Sequence, residues 1–188
     1  MESEFDIKRN GGSFPIKRNF DDELFAWGKK LGERGLLSSV QDGPGGSLSY
    51  RYALGFVITA RDADLAKLTR KDLIFVEQWD AAARQLLLRG EGKPPVESFL
   101  HAAVYQNRSG AIFAFFATAP KILKMASQSG LPCLAAAPFE DPASLMGSVE
   151  EGLGAGNIMV VPNRGALSFG CTAEDAGEQI LSCHSAGV

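Results

Sequence analysis

Glu97, His101 and Tyr105 recur four residues apart where apolar residues follow helical spacing, so a carboxylate, an imidazole and a phenol approach one helix face. Groups of these types can move protons or hold a ligand. A continuous apolar run, Ala111 to Ala117, follows the helix and reads as a buried strand. Metal chemistry is constrained by scarcity. The chain has two histidines, His101 and His184, which cannot supply three imidazoles. The three cysteines, Cys133, Cys171 and Cys183, are scattered and form neither a Cys-x-x-Cys knuckle nor a disulfide framework; they read as small buried or half-buried residues. Glu97 and His101 alone would make only a two-ligand site.

The elements that position these residues are legible in outline. Leu24, Trp27 and Leu31 recur at helical spacing, with Asp21 or Asp22 as a cap and Gly35 as a stop. Ser38 to Arg51 is rich in glycine and serine, and Tyr50 to Thr59 reads as a strand. Thr69 to Asp72 opens a short helical turn before Leu73-Ile-Phe-Val76. Asp80 to Gly92 is compatible with strand or helix. Val96, Phe99, Leu100, Ala103 and Val104 form one stripe of a helix from about Val96 to Gln106. Pro120 begins another helix, and Pro142 to Leu153 is helical. Asn157 to Val161 and Ala166 to Phe169 are strands joined by the turn Pro162-Asn-Arg-Gly165. Thr172 caps a final helix through Ser182, with Asp175 completing a capping box. Strands and helices are interspersed, so the fold class is α/β or α+β, a sheet covered by helices.

A chain of 188 residues most simply forms one domain, here 21–188, preceded by an arm over 1–20 that carries Ile-Lys-Arg-Asn twice. The arm reads as a loose or strand-like basic segment, with partner binding as the alternative. The hydrophobic fraction of 45% and charged fraction of 22% are ordinary for a globular protein. A net charge of −3 gives no reason to expect nucleic acid as a partner. No apolar run is long enough to span a bilayer, and the acidic start does not read as a secretory signal. The expected location is cytoplasmic.

Four stretches taken in order resemble the class II aldolase/adducin family. They are Gly46-Ser-Leu-Ser-Tyr-Arg51 with Phe56-Val-Ile-Thr59; Leu68-Thr-Arg-Lys-Asp-Leu73; Lys93-Pro-Pro-Val-Glu-Ser-Phe-Leu-His101 with Tyr105; and Val160-Val-Pro-Asn-Arg-Gly165 with Phe169-Gly-Cys-Thr-Ala-Glu-Asp-Ala176. The resemblance, of the L-fuculose-phosphate aldolase type, implies a three-layer αβα fold whose central sheet is mainly antiparallel. It also implies a homo-oligomer, often a tetramer, with sites near subunit boundaries. Family enzymes use a divalent metal, usually zinc, as a Lewis acid beside a proton-transferring glutamate.

Carried over residue by residue, the resemblance places that glutamate at Glu97. The two strand histidines of the family fall at Ala114 and Phe116, and the third metal histidine at Arg164. Zinc needs three or four nitrogen, sulfur or oxygen ligands, so no metal cofactor is expected. Pro95 and Val96 stand where the family has serines, Ser47 where it has asparagine, and Arg61-Asp62 where it has Ser-Gly. The resemblance also leads to the expectation that a family-type C-terminal tail is short or missing.

Two functional expectations follow. The first is a homo-oligomer without metal-dependent lyase activity, binding a small anionic ligand or serving a structural role. The second is metal-free lyase chemistry on a small phosphorylated or carboxylated substrate, with Glu97 as acid/base and Arg164 as stabiliser of an enolate or phosphate. Arg164 either pairs with Glu97 or binds the anion. Arg61 with the Gly45, Gly46 and Ser47 amides either holds phosphate or forms an ordinary turn. His101 and Tyr105 either line the pocket or are hydrogen-bonded core-edge residues. Glu97 either has a pKa raised by the aromatic strand or serves only the helix dipole.

Overall fold

The computed structural model describes residues 5–12, 17–37, 45–118, 123, 130–134, 141–154 and 156–185. Eight strands and four helices are named here in chain order. They are β1 (Asp6–Arg9), α1 (Arg18–Glu33), β2 (Gly46–Tyr52), β3 (Gly55–Thr59), β4 (Leu73–Asp80), β5 (Gln85–Arg89), α2 (Ser98–Asn107), β6 (Phe113–Ala117), α3 (Pro142–Gly152), β7 (Ile158–Val161), β8 (Gly165–Gly170) and α4 (Ala173–Ser185). The strands make one sheet in the order β1-β5-β4-β3-β2-β6-β8-β7. Every strand pair is antiparallel except β1 with β5. Among the described residues no helix is long and apolar enough to cross a membrane.

Strand alternation divides the sheet's central strands between two helical layers. Tyr50, Phe113 and Phe115 face α1, where Phe20 and Trp27 pack against them edge-on or tilted. Ser168 on the same face donates to the Ala176 carbonyl of α4 at 2.6 Å. Ser47, Ser49, Ala114 and Phe116 face the other way, toward α2. Glycine lets α1 and α4 meet: a Cβ at Gly177 would lie 2.2 Å from the Trp27 ring.

Several expectations change in detail. Tyr50 to Thr59 is two strands, not one, because the chain reverses at Ala53-Leu54. β2 begins inside the glycine-rich stretch, whose Gly46 sits where a Cβ would strike the Phe116 carbonyl at 2.2 Å. Asp80 to Gly92 resolves as strand β5, whose Leu86 and Leu88 enter the core. The N-cap of α1 is Lys17, not Asp21 or Asp22. Asp21 lies within the first turn, fully buried, and accepts from Tyr50 Oη at 2.7 Å and Arg70 Nε at 3.2 Å. Burial raises its pKa, opposed by both partners. The basic arm contributes edge strand β1 to the same sheet, and its end belongs to α1. The expected cap is present, Thr172 with Asp175 at 3.0 and 3.1 Å, and the expected turn at Thr69 is closed by a capping box of Thr69 with Asp72. The helix expected at Pro120 begins outside the described residues.

Gly177→Ala is expected to lower stability by about 1–3 kcal/mol through overpacking against Trp27, despite alanine's better helix propensity. Urea denaturation checks this; an unchanged or higher midpoint would show that the α1–α4 contact is loose.

Candidate functional site

α2 carries the site and is held at both ends. Its N-terminus follows Pro94-Pro95, and Ser98 Oγ donates back to the Pro95 carbonyl at 2.7 Å. Its C-terminus is closed by Arg51, which donates to the carbonyls of Tyr105 at 2.6 Å and Arg108 at 2.9 Å, satisfying groups that a helix end leaves unpaired. Arg51 also lies 5.0 Å from the Tyr105 ring centre. Phe99, Leu100, Ala103 and Val104 are buried, as are Ser98, His101 and Tyr105, so the helix is covered nearly all round instead of along one stripe.

Glu97 is the N-cap of α2 and is half-buried. Its surroundings remove enough water that desolvation raises its pKa; Arg164 and Arg61 pull it the other way but less strongly. The rings of Phe113 and Phe115 are on the opposite face of the sheet, so they do not supply this desolvation. Among the described residues, no ion pair within 4.0 Å joins Glu97 to either arginine. Their charges act on it from farther away. Arg61 is brought near by its backbone N–H, which donates to the Lys93 carbonyl at 2.8 Å. Arg164 is exposed in the β7–β8 turn, beside Asn163 in a left-handed conformation (φ 60°).

Phe116 is 1% exposed, and its ring tip comes within 3.1 Å of where a Cβ on Gly165 would be. The ring therefore reaches the turn that carries Arg164. Ala114, two residues earlier, is fully buried on the same face. Gly165 has the additional task of admitting β6, since its Cβ would meet the Ala117 carbonyl at 2.0 Å. These are apolar replacements with no lone pair to offer. Among the described residues no three His, Cys, Asp or Glu side chains converge as a metal cluster.

One turn below Glu97 lies a closed polar cluster that the sequence shows only in part. His101 is fully buried, with Nε2 2.9 Å from Ser47 Oγ and Nδ1 2.6 Å from Ser49 Oγ. Ser49 Oγ also lies 2.7 Å from Tyr105 Oη and donates to the Ala114 carbonyl at 3.2 Å. The donor count favours one arrangement. Ser47 donates to Nε2, Nδ1–H and Tyr105 donate to Ser49, and Ser49 donates to Ala114. Burial holds His101 far below its ordinary pKa, at about 3, and pushes Tyr105 up. Both ring nitrogens are thus engaged by hydroxyls, and the imidazole is neutral. Ser49, part of the Gly46–Arg51 stretch but not among the candidate site residues, is the centre of this cluster; its alternation with Ser47 on one strand face was the available signal.

The candidate residues therefore fall into two groups. Glu97, Arg61, Arg164 and Phe116 gather at the N-terminal end of α2. Ser47, His101 and Tyr105 join Ser49 beneath it, while Gly46 is buried in the β2–β6 ladder.

A family model described as "Class II Aldolase and Adducin N-terminal domain" matches residues 22–186. No curated protein matches the chain. Among solved structures, L-fuculose-1-phosphate aldolase from Thermus thermophilus is 19% identical, with a TM-score of 0.71 over 91% of this chain and 92% of that one. A sugar-phosphate aldolase from Thermotoga maritima is 14% identical, with a TM-score of 0.72 over 90% and 92%. The N-terminal class II aldolase domain of a conserved protein from Thermoplasma acidophilum is 18% identical, with a TM-score of 0.67 over 95% of both chains. These likenesses show a shared fold.

The His101 cluster has a pH signature. An unfolded histidine gains a proton near pH 6.5, the folded one only near 3. Its contribution to stability is full above about pH 6.5 and is lost as pH falls toward 3, by up to about 1.4 kcal/mol per unit. Asp21 and Glu97, whose pKa values are raised, contribute with the opposite sign. Between pH 6.5 and 5 the native protein should lose about 1–2 kcal/mol more than His101→Gln, measured by urea midpoints. Equal losses would mean that the imidazole is not held neutral.

Proposed function

Because this chain belongs to the Class II Aldolase and Adducin N-terminal domain family, we propose that it is a homo-oligomeric, cytoplasmic member that binds a small phosphorylated or carboxylated ligand without the metal-dependent lyase reaction. The observation that carries this reading is Phe116, buried against Gly165 beside Arg164 where the family resemblance expects imidazoles. Zinc does not fit these residues. Alanine and phenylalanine have no donor atoms, and a guanidinium is permanently cationic. Of the expected metal-site group only Glu97 can ligate, and one carboxylate is not a zinc site.

A cation at Arg164 with a second at Arg61 favours an anion instead. Guanidinium binds phosphate or carboxylate with two parallel hydrogen bonds. Phe116 shields one side of the site from water, which strengthens such contacts. Glu97 opposes an anion when ionised, and its raised pKa reduces that opposition. The same raised pKa favours a second reading, in which Glu97 exchanges a proton with the bound ligand while Arg164 stabilises the developing charge.

Calorimetry with inorganic phosphate and with oxalate tests the proposal. Arg164→Gln should weaken binding about 10- to 100-fold, the worth of one or two charge-assisted bonds. Glu97→Gln should leave binding unchanged or tighten it. Native binding should tighten as pH falls and survive a chelator. Binding abolished by chelator, or unaffected by Arg164→Gln, would refute the reading. Turnover of a ligand that disappears in Glu97→Gln while binding persists would establish the second reading.

A further inference from the structure

The tetrad Ile-Lys-Arg-Asn occurs twice, and its two asparagines stand in opposite settings. Asn10 follows edge strand β1 and precedes Gly11-Gly12, whereas Asn19 lies in the first turn of α1. The difference matters because an asparagine side chain can react with its own backbone. The nitrogen of the next residue attacks Cγ, which requires that this nitrogen be neither hydrogen-bonded nor shielded.

Four of the five asparagines fail that requirement. After Asn19, the Phe20 N–H donates to the Lys17 carbonyl at 2.9 Å, and its ring packs on Tyr50 and Phe113. After Asn107 and Asn163, the N–H groups of Arg108 and Arg164 donate to the carbonyls of Val104 at 2.8 Å and Val161 at 3.1 Å. Asn157 is followed by the β-branched Ile158, whose side chain crowds its nitrogen. Asn10 alone meets the requirement. Asn10 and Gly11 are exposed, and among the described residues the Gly11 N–H has no hydrogen-bond partner. Gly11 has no side chain to shield its nitrogen. A Cβ there would meet nothing within 4 Å, so packing does not demand glycine at this position.

Asn10 also holds the arm in place. Its Nδ2 donates to Glu77 Oε2 at 2.8 Å and its backbone N–H to the Leu88 carbonyl at 2.9 Å. Arg89, and then Asn10, keep the Glu77 carboxyl below its ordinary pKa, so it is ionised. A carboxylate at position 10 would turn that attraction into repulsion. The rest of the hold is slight. All four β1 residues are exposed. Beyond the ladder, Asp6 accepts from Gln85 at 2.6 Å, and Phe5 packs edge-on against Phe99 of α2 at 5.1 Å. Arg9, beside Asn10, donates to the carbonyls of Gly90 and, at 3.0 Å, Gly92, in the segment that leads to Glu97.

We propose that Asn10 is a site of spontaneous covalent modification that releases β1 from the sheet. A bond forms from Gly11 N to Asn10 Cγ and the Cγ–Nδ2 bond breaks. The Gly11 proton leaves with Nδ2 as ammonia, and a cyclic imide remains. Water then opens the imide. Cleavage at Cγ gives aspartate; cleavage at the backbone carbonyl carbon gives isoaspartate, whose chain runs through Cγ and is one methylene longer. No electrons are exchanged. Either product sets a carboxylate where Glu77 had a donor, and the longer backbone also disturbs the ladder at Leu88. The inference is independent of anion binding at Arg164.

Peptide mass spectrometry with hydrogen exchange, on the full chain incubated in mildly alkaline buffer, is the experiment. A free peptide of residues 6–12 serves as the timer. Asn10 should convert about tenfold or more faster than any other asparagine, and Gly11→Ala should slow it about tenfold. In the converted protein and in Asn10→Asp, β1 amides should exchange about 10- to 100-fold faster while those of α1 are unchanged, as loss of a hydrogen bond to a charged group implies. Far-UV circular dichroism confirms that both variants are folded. Asn10 left intact when the free peptide has fully converted overturns the site. So does native-rate conversion in Gly11→Ala. Conversion that leaves β1 exchange unchanged overturns the release.

Discussion

The neutral, doubly hydrogen-bonded His101 is the interaction on which the rest of the site depends. It lies between α2 and strand β2, touching Ser47 with one nitrogen and Ser49 with the other. Removing the imidazole would leave two buried hydroxyls with fewer partners, and each unsatisfied polar group is costly. Because both nitrogens are engaged, the ring fixes the height and rotation of α2 against the sheet. That placement puts Glu97, one turn earlier, at the mouth of the site. Arg51 at the far end of the helix completes the clamp. The cluster therefore positions α2, and the proposed anion site lies above it.

Above it, in the proposed reading, charge replaces coordination. A zinc site and an arginine site solve the same electrostatic task, placing positive charge near a ligand oxygen, by different means. Zinc needs several lone pairs converging at about 2.0–2.3 Å. A guanidinium needs none and brings its own directed donors. Once arginine supplies the charge, imidazoles on β6 lose their purpose. A phenylalanine packed on Gly165 then contributes hydrophobic burial, about 1.5–3 kcal/mol for a fully buried side chain. In the proposed reading, Phe116 and Arg164 are one exchange made at two distant points of the chain.

Much of this was legible in the sequence because it depends on residue type and order. Strand alternation places Phe116 with Ala114 and apart from Phe113 and Phe115, and the cap at Thr172 follows from a local rule. What escaped depends on contacts between remote segments. Asp21 reads as a helix cap, yet Tyr50 and Arg70 draw it into the core. Ala53-Leu54 lacks the usual turn residues, so the hairpin hides inside an apparently continuous strand. Ser49 looks like an ordinary alternating strand residue until His101 and Tyr105 arrive from α2. The desolvation of Glu97 was expected from the aromatic strand, but two of the three rings pack on the other layer.

The central claim is that guanidinium and hydrocarbon have displaced the metal of this fold. Elemental analysis of freshly purified, untreated protein tests it most directly. The account predicts no divalent metal in stoichiometric amount, in the native chain and in Glu97→Ala alike. One zinc per chain in the native protein, lost on Glu97→Ala, would contradict it.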